Sequence, residues 1–224
     1  MITGKSGRAR RVAALALLAA FVSVMPAAAG ELQVRVTSGD APLEGAVISL
    51  HGAGAPVAGQ AVMDQRNTAF EPGVLVIQAG TAVSFPNSDT VRHQVYSFSP
   101  AKPFELPLYS GTPPEPVVFD APGVVVVGCN IHDWMIGWIV VLDTPHHARS
   151  DADGLARLEV PDGAYRLQAW HPRLAGDVVV REVTVPGDSV SLALELGPPP
   201  PERRGSDRLR ALQDRLRSLR KDEG

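Results

Sequence analysis

Residues 128–138 read GCNIHDWMIGW, and in that stretch Cys129, His132 and Met135 follow one another at intervals of three. The runs on either side, Val124 to Val127 and Ile139 to Leu142, are β-branched and apolar, the composition of buried strands. A strand from Gly123 is expected to run into Cys129 and a second to leave from Ile136. The thiol, the imidazole and the thioether would then share one tight loop. A fourth donor must come from elsewhere, and His93 in TVRHQVYSF, residues 90–98, is the candidate. It follows the turn Asn87-Ser88-Asp89 and opens another strand, from which its ring can reach the same end.

Outward from this stretch the chain stays β-rich. Val74 to Ile77, Ala82 to Phe85 and Val117 to Phe119 are further short strands, separated by Glu71-Pro72-Gly73, Gly80, Pro86-Asn87-Ser88-Asp89 and Asp120-Ala121-Pro122-Gly123. Short strands punctuated by Gly, Pro and Asn predict an all-β sandwich, with no helix before residue 205. Residues 56–145 hold the pieces of one such unit.

Two imidazoles and a thiolate, with a weak thioether on the axis, form the donor set of a type 1 (blue) copper centre. Zinc has no use for a methionine, and its structural sites carry more cysteines. Haem attachment needs Cys-x-x-Cys-His, which is not present. Taken singly, Cys129 reads as a buried thiol and Met135 as core packing; the joint spacing is what points to a metal. No acid–base pair stands beside these residues, so an enzyme is not expected.

The segment from Cys129 to Met135, with His93 upstream, resembles the cupredoxin family, plastocyanin and especially amicyanin, which has the same Cys-x-x-His-x-x-Met spacing. The lead-in AFEPGVLVIQAGTAVSFPNSDTVRHQV, residues 69–95, is similar to that family's succession of Phe, Pro, Gly, Asn and a ligand His. The chain as a whole resembles bacterial periplasmic plastocyanin-like proteins often labelled methylamine-utilisation proteins. The resemblance implies a Greek-key sandwich holding one copper ion, with His93, Cys129 and His132 equatorial and Met135 axial. Ile131 stands where amicyanin and plastocyanin commonly carry Pro, and Gln94 where Asn is usual.

The first residues read as a secretory signal, residues 1–29: Lys5, Arg8, Arg10 and Arg11 precede the apolar run Val12 to Val24, and Ala27-Ala28-Ala29 suits a signal peptidase. An uncleaved anchor is the competing reading. Removal of this segment takes four of the 21 basic residues and none of the 24 acidic ones, leaving a net charge of −7. Such a balance does not call for nucleic acid, and no later apolar run approaches the ~20 residues of a membrane helix. Cys129 is the chain's one cysteine, so no internal disulfide forms. A lone thiol in an oxidising compartment is safe only if buried or metal-bound.

Residues 32–52 and 150–172 resemble parts of a carboxypeptidase-regulatory-like, transthyretin-type sandwich. The expected organisation is a discontinuous unit, 31–55 and 146–196, with the cupredoxin unit 56–145 inserted in one of its loops. Asp151 to Gly154 and Pro161-Asp162-Gly163 supply tight hairpins in this reading. The alternative is two consecutive domains, with 31–52 as an extra strand pair on the cupredoxin. The remainder, 197–224, begins with the stiff linker GPPPPERRGSD. Leu209, Leu212, Leu216 and Leu219 then predict a short amphipathic helix capped by Ser206 or Asp207. It suits oligomer contact, an anionic surface or an acidic partner, or is a solvated tail.

His51, His146, His147 and His171 lack the His-x-His spacing of a multinuclear copper cluster, and His146-His147 is expected on an exposed linker. Trp138 is expected to pack, and Trp134 either to pack or to border a docking patch. The expected function is a soluble periplasmic carrier of single electrons that docks transiently with a redox donor and a redox acceptor. The alternative is a copper module for buffering or delivery.

Overall fold

The fold was obtained as a computed structural model, which describes residues 29–199 apart from 114 and 188. The expected C-terminal helix and all of the expected signal except Ala29 lie outside the described residues. Every regular element among the described residues is a strand, so the described part of the chain is all-β. No helix among them is long and apolar enough to cross a membrane.

Strand β1 (Ala29–Ser38) alternates strictly, and its Leu32, Val34 and Val36 are fully buried. β2 (Ala41–Pro42) folds back on its end. β3 (Val47–His51) is apolar on one face and mixed on the other: Ile48 and Leu50 enter a core, while Val47, Ser49 and His51 point away from it. Next come β4 (Gln60–Val62), β5 (Asp64–Arg66), β6 (Ala69–Glu71), β7 (Val74–Gln78) and β8 (Thr81–Ser84). β9 (His93–Ser97), β10 (Phe104–Tyr109), β11 (Val117–Phe119), β12 (Gly123–Cys129) and β13 (His132–Leu142) follow. The chain ends in β14 (His147–Arg149), β15 (Leu155–Pro161), β16 (Gly163–Trp170), β17 (Val179–Val185) and β18 (Val190–Ala193).

The central strands build a sandwich. One sheet has the order β10-β9-β12-β13-β7, with β7 parallel to β13; the other has the order β11-β8-β4, with β4 parallel to β8. Phe85, Phe119, Val95, Val125, Val127 and Ile139 fill the space between them. The first and last strands form two more sheets, β15-β1-β18 with β2 on β1, and β14-β3-β16-β17. Their shared core includes Leu32, Val34, Leu50, Tyr165, Leu167 and Leu194. A third, small cluster of Val47, Val140 and Leu142, joined by Val74, Val76 and Trp170, connects the outer face of β3–β16 with the outer face of β13–β7.

The two expected hairpins are corners instead. β14 and β16 lie in one sheet and β15 in another, so Asp151 to Gly154 and Pro161 to Gly163 carry the chain between sheets. Asp and Gly bend a chain equally well for either purpose; what decides is that β15 pairs with β1 and β16 with β3. At the first corner the Asp151 carboxylate accepts the N–H groups of Asp153 and Leu155 at 3.0 and 2.9 Å. At the second, the Tyr165 hydroxyl donates to Pro161 O at 2.8 Å. His147 likewise belongs to β14 and not to a linker, and the ring of His146 packs edge-on against Tyr165.

Candidate metal centre

β12 and β13 pair antiparallel in unbroken register from Gly123 opposite Val141 to Gly128 opposite Ile136. There the register shifts, and Cys129 stands opposite His132. Asp133, Trp134 and Met135 are therefore extra residues on one strand, a bulge of the kind that re-aims side chains at a sheet end. The expected loop from Cys129 to Met135 is corrected accordingly. Its turn is Asn130 and Ile131 alone; Cys129 closes β12, and His132 and Met135 belong to β13. The long apolar ladder behind the turn holds the strand ends together, and extending it pairs backbone groups that a loop would leave to solvent.

Alternation along the strands sets which side chains turn inward. Val125, Val127 and Cys129 share the core face of β12, and Met135, Gly137 and Ile139 that of β13. Cys129 is 3% exposed and Met135 1%, both in the cluster between the sheets. His93 opens β9, next to β12, and is fully buried; His132 is half-buried.

The structure brings three of the four expected donors into one triangle. His93 Nδ1 lies 3.2 Å from His132 Nδ1, and Cys129 Sγ lies 3.8 and 3.7 Å from these two nitrogens. A point about 2.1 Å from all three atoms exists at the centre of a triangle with these sides, within the range of about 2.0–2.3 Å over which His nitrogen and Cys sulfur bind a metal such as zinc. His93, Cys129 and His132 therefore lie close enough to form a type 1 copper site. Among the described residues theirs is the one such group of three donors; His51, His146, His147 and His171 contribute to none.

Behind His93 lies a polar scaffold that the sequence revealed only as turn chemistry. Buried Asn87 donates through Nδ2 to Val91 O and Tyr109 O, at 2.9 and 3.0 Å, and accepts the Asp89 N–H at 3.0 Å. Tyr109 stands opposite His93 in the β9–β10 register. Its hydroxyl donates to Phe85 O at 2.6 Å and accepts from Gln65 Nε2 at 2.5 Å, and burial pushes its pKa up to about 12. Asp89 Oδ2 lies 3.1 Å from His93 Nε2. The backbone N–H of Thr68 and then the His93 ring hold the Asp89 carboxyl below its usual range. Burial first, and then the charge of His93, lower the pKa of His132.

Gln94, the residue after His93, donates to Glu105 Oε1 at 2.5 Å, while Asn87 ties the segment before His93 to Tyr109 of β10. No signal in the sequence marked Gln65 or Thr68; each arrives from β5–β6 through tertiary pairing. Trp134 packs its ring 5.3 Å from that of His132, with its Nε1 buried and unpartnered.

No protein-family model matches this chain, and no curated protein matches it in sequence. Solved structures it is similar to include a copper-containing nitrite reductase, a purple cupredoxin, amicyanins and a pseudoazurin, each overlapping about two fifths of this chain. The Cu-containing nitrite reductase from Thermus scotoductus SA-01 is 29% identical over 37% of this chain and 22% of that one, with a TM-score of 0.35. The purple cupredoxin from Nitrosopumilus maritimus is 26% identical over 38% of this chain and 99% of its own, with a TM-score of 0.33. A mutant amicyanin in its reduced Cu(I) form is 20% identical over 42% of this chain and 98% of its own, with a TM-score of 0.34. This chain thus spans about a fifth of the reductase it matches.

Proposed function

We propose that this chain holds one type 1 copper ion through His93, Cys129 and His132, with Met135 as the axial donor, and carries single electrons between a redox donor and a redox acceptor. The observation that supports the reading is the donor triangle, one sulfur and two imidazole nitrogens around a common centre. Copper held there would supply the one-electron change. The chain supplies the fixed frame, since two of the donors end or begin paired strands and the third opens a neighbouring strand. A frame that does not move between oxidation states keeps reorganisation small. Burial of Cys129, Met135 and His93 keeps water away from the thiolate. His132 is the half-exposed donor, and Ile131, 52% exposed beside it, offers an apolar contact for a partner. Residues 1–29 would direct the chain to the periplasm, where a lone thiol is protected by its metal.

The test is the visible spectrum of the copper-loaded oxidised protein. An intense thiolate-to-copper band toward the red is expected, and Cys129→Ser should abolish it. A colourless copper-loaded wild type would sink the reading. If the colour forms but Cu(I) passes readily to a chelating acceptor protein while no electron exchange occurs, delivery is the function and electron carriage is not.

A further inference from the structure

We propose that Asp89 is a positioning residue for His93 and that its carboxylate favours the oxidised state of the bound ion; the second half rests on the copper reading above. The carboxylate is held on both oxygens. Oδ2 accepts the Thr68 N–H at 2.7 Å and faces His93 Nε2 at 3.1 Å, while Oδ1 accepts the Thr90 N–H at 2.9 Å. The Asp89 N–H is itself tied to Asn87 Oδ1. The side chain is only 14% exposed, and the His93 ring is fully buried.

The Thr68 N–H reaches Asp89 because of an unusual turn. Asn67 and Thr68 have φ of 51° and 55° and close the β5–β6 hairpin between Arg66 and Ala69. Two left-handed residues in succession make the mirror-image turn that suits a two-residue hairpin, but a β-branched residue there is strained. Strain of this kind persists where the surroundings over-determine it. Here the strained residue aims its N–H at the acceptor of a buried histidine.

Donation from Nε2–H to Asp89 fixes the tautomer of His93 and leaves the Nδ1 lone pair free, on the atom that faces Cys129 and His132. A carboxylate acceptor also makes the imidazole a stronger donor. The carboxylate and the Cys129 thiolate together neutralise a dipositive ion but over-balance a monopositive one, so the pair selects the oxidised state.

The apo wild type tests the positioning without any metal. Long-range proton–nitrogen NMR should show the His93 proton on Nε2, and Asp89→Ala should release the ring into mixed tautomers. A proton on Nδ1 in the wild type would overturn the proposal. With copper, Asp89→Asn keeps the shape and removes the charge. The blue band should remain, while affinity for Cu(II) falls about 10–100-fold and affinity for Cu(I) changes less. A tenfold loss confined to Cu(II) raises a one-electron potential by about 59 mV. An Asp89→Asn protein with wild-type affinity and potential would overturn the electronic half. A wild type that forms no blue centre refutes the copper reading instead, and leaves the NMR test standing.

Discussion

On the proposed reading, Met135 is the residue whose substitution would separate a tuned electron-transfer centre from any copper–thiolate site. Its side chain is buried with Cys129 in the core between the sheets. In the proposed role of a weak fourth donor, it would act on the potential and leave the colour nearly alone. Met135→Leu is expected to raise the potential with the blue band retained, and Met135→Gln, which offers a harder oxygen, to lower it. Electrochemistry on the two variants checks this; wild-type potentials in both would make Met135 plain packing. His171 is a second informative residue. Burial first, and then the charges of Arg173 and Arg149, hold its pKa below the ordinary 6.5. The unfolded chain therefore takes up a proton more readily than the folded one just below pH 6.5. This ring's contribution is intact above that pH and is lost as the pH falls toward the folded pKa. Thermal melting of the apo protein between about pH 7.5 and about pH 5 should show the decline, to which His132 also contributes, and His171→Gln should make it smaller.

Among the elements, the corner before β15 has little tolerance for a side chain. Gly154 has a φ of +72°, and a Cβ there would stand 2.4 Å from Val36 O, a backbone atom in β1. Its N–H also donates to Asp151 O at 2.9 Å. Gly154→Ala should destabilise the fold by about 2 kcal/mol or more, because a left-handed alanine alone costs about 1–2 kcal/mol and the contact adds to it. The readout is the melting temperature of the apo protein. A copper spectrum unchanged in the folded fraction would show that the damage stays in the β1–β15 sheet. The ligand hairpin behaves differently, since its β12–β13 ladder is apolar along its length and its end is a bulge, where irregularity already exists.

For the whole molecule, we propose that the chain is a discontinuous sandwich, 31–55 and 146–196, carrying the copper-binding unit 56–145 in a loop. Residues 56–145 alone should bind copper and turn blue, and a chain joining 31–55 to 146–196 through a short Gly/Ser linker should fold. An unfolded joined chain would count against insertion. Contact between the units would run through Val47, Val140 and Leu142 and through His51, which bonds Asp143 by Nδ1 and Ser49 Oγ by Nε2, the latter at 2.9 Å. The order Ser, His, Asp is that of a hydrolytic relay. Ser49, however, sits in a central strand paired on both sides, to His147 and to Gln168, and is 3% exposed. We read the three as a strut between the units. Asp143→Ala should cost about 1 kcal/mol or less, as for a partly exposed hydrogen bond, seen as a lower melting temperature with the copper spectrum preserved.

The sequence by itself determined the all-β class and most strand positions, because alternation and turn residues are local. It also singled out Cys129, His132 and Met135, whose spacing lies within one short segment, and His93 at the start of its strand. Tertiary structure decided what depends on pairing. A register shift of β13 against β12 turned the expected loop into a bulged hairpin. The choice of partner strands made corners of two turns whose Asp and Gly would serve a hairpin as well. Gln65, Thr68, Asp89 and Tyr109 come to stand behind His93 from three separate parts of the chain. Hydrogen bonds between residues distant in sequence leave no periodic trace in it, so the candidate donors could be named from the sequence and the scaffold behind His93 could not.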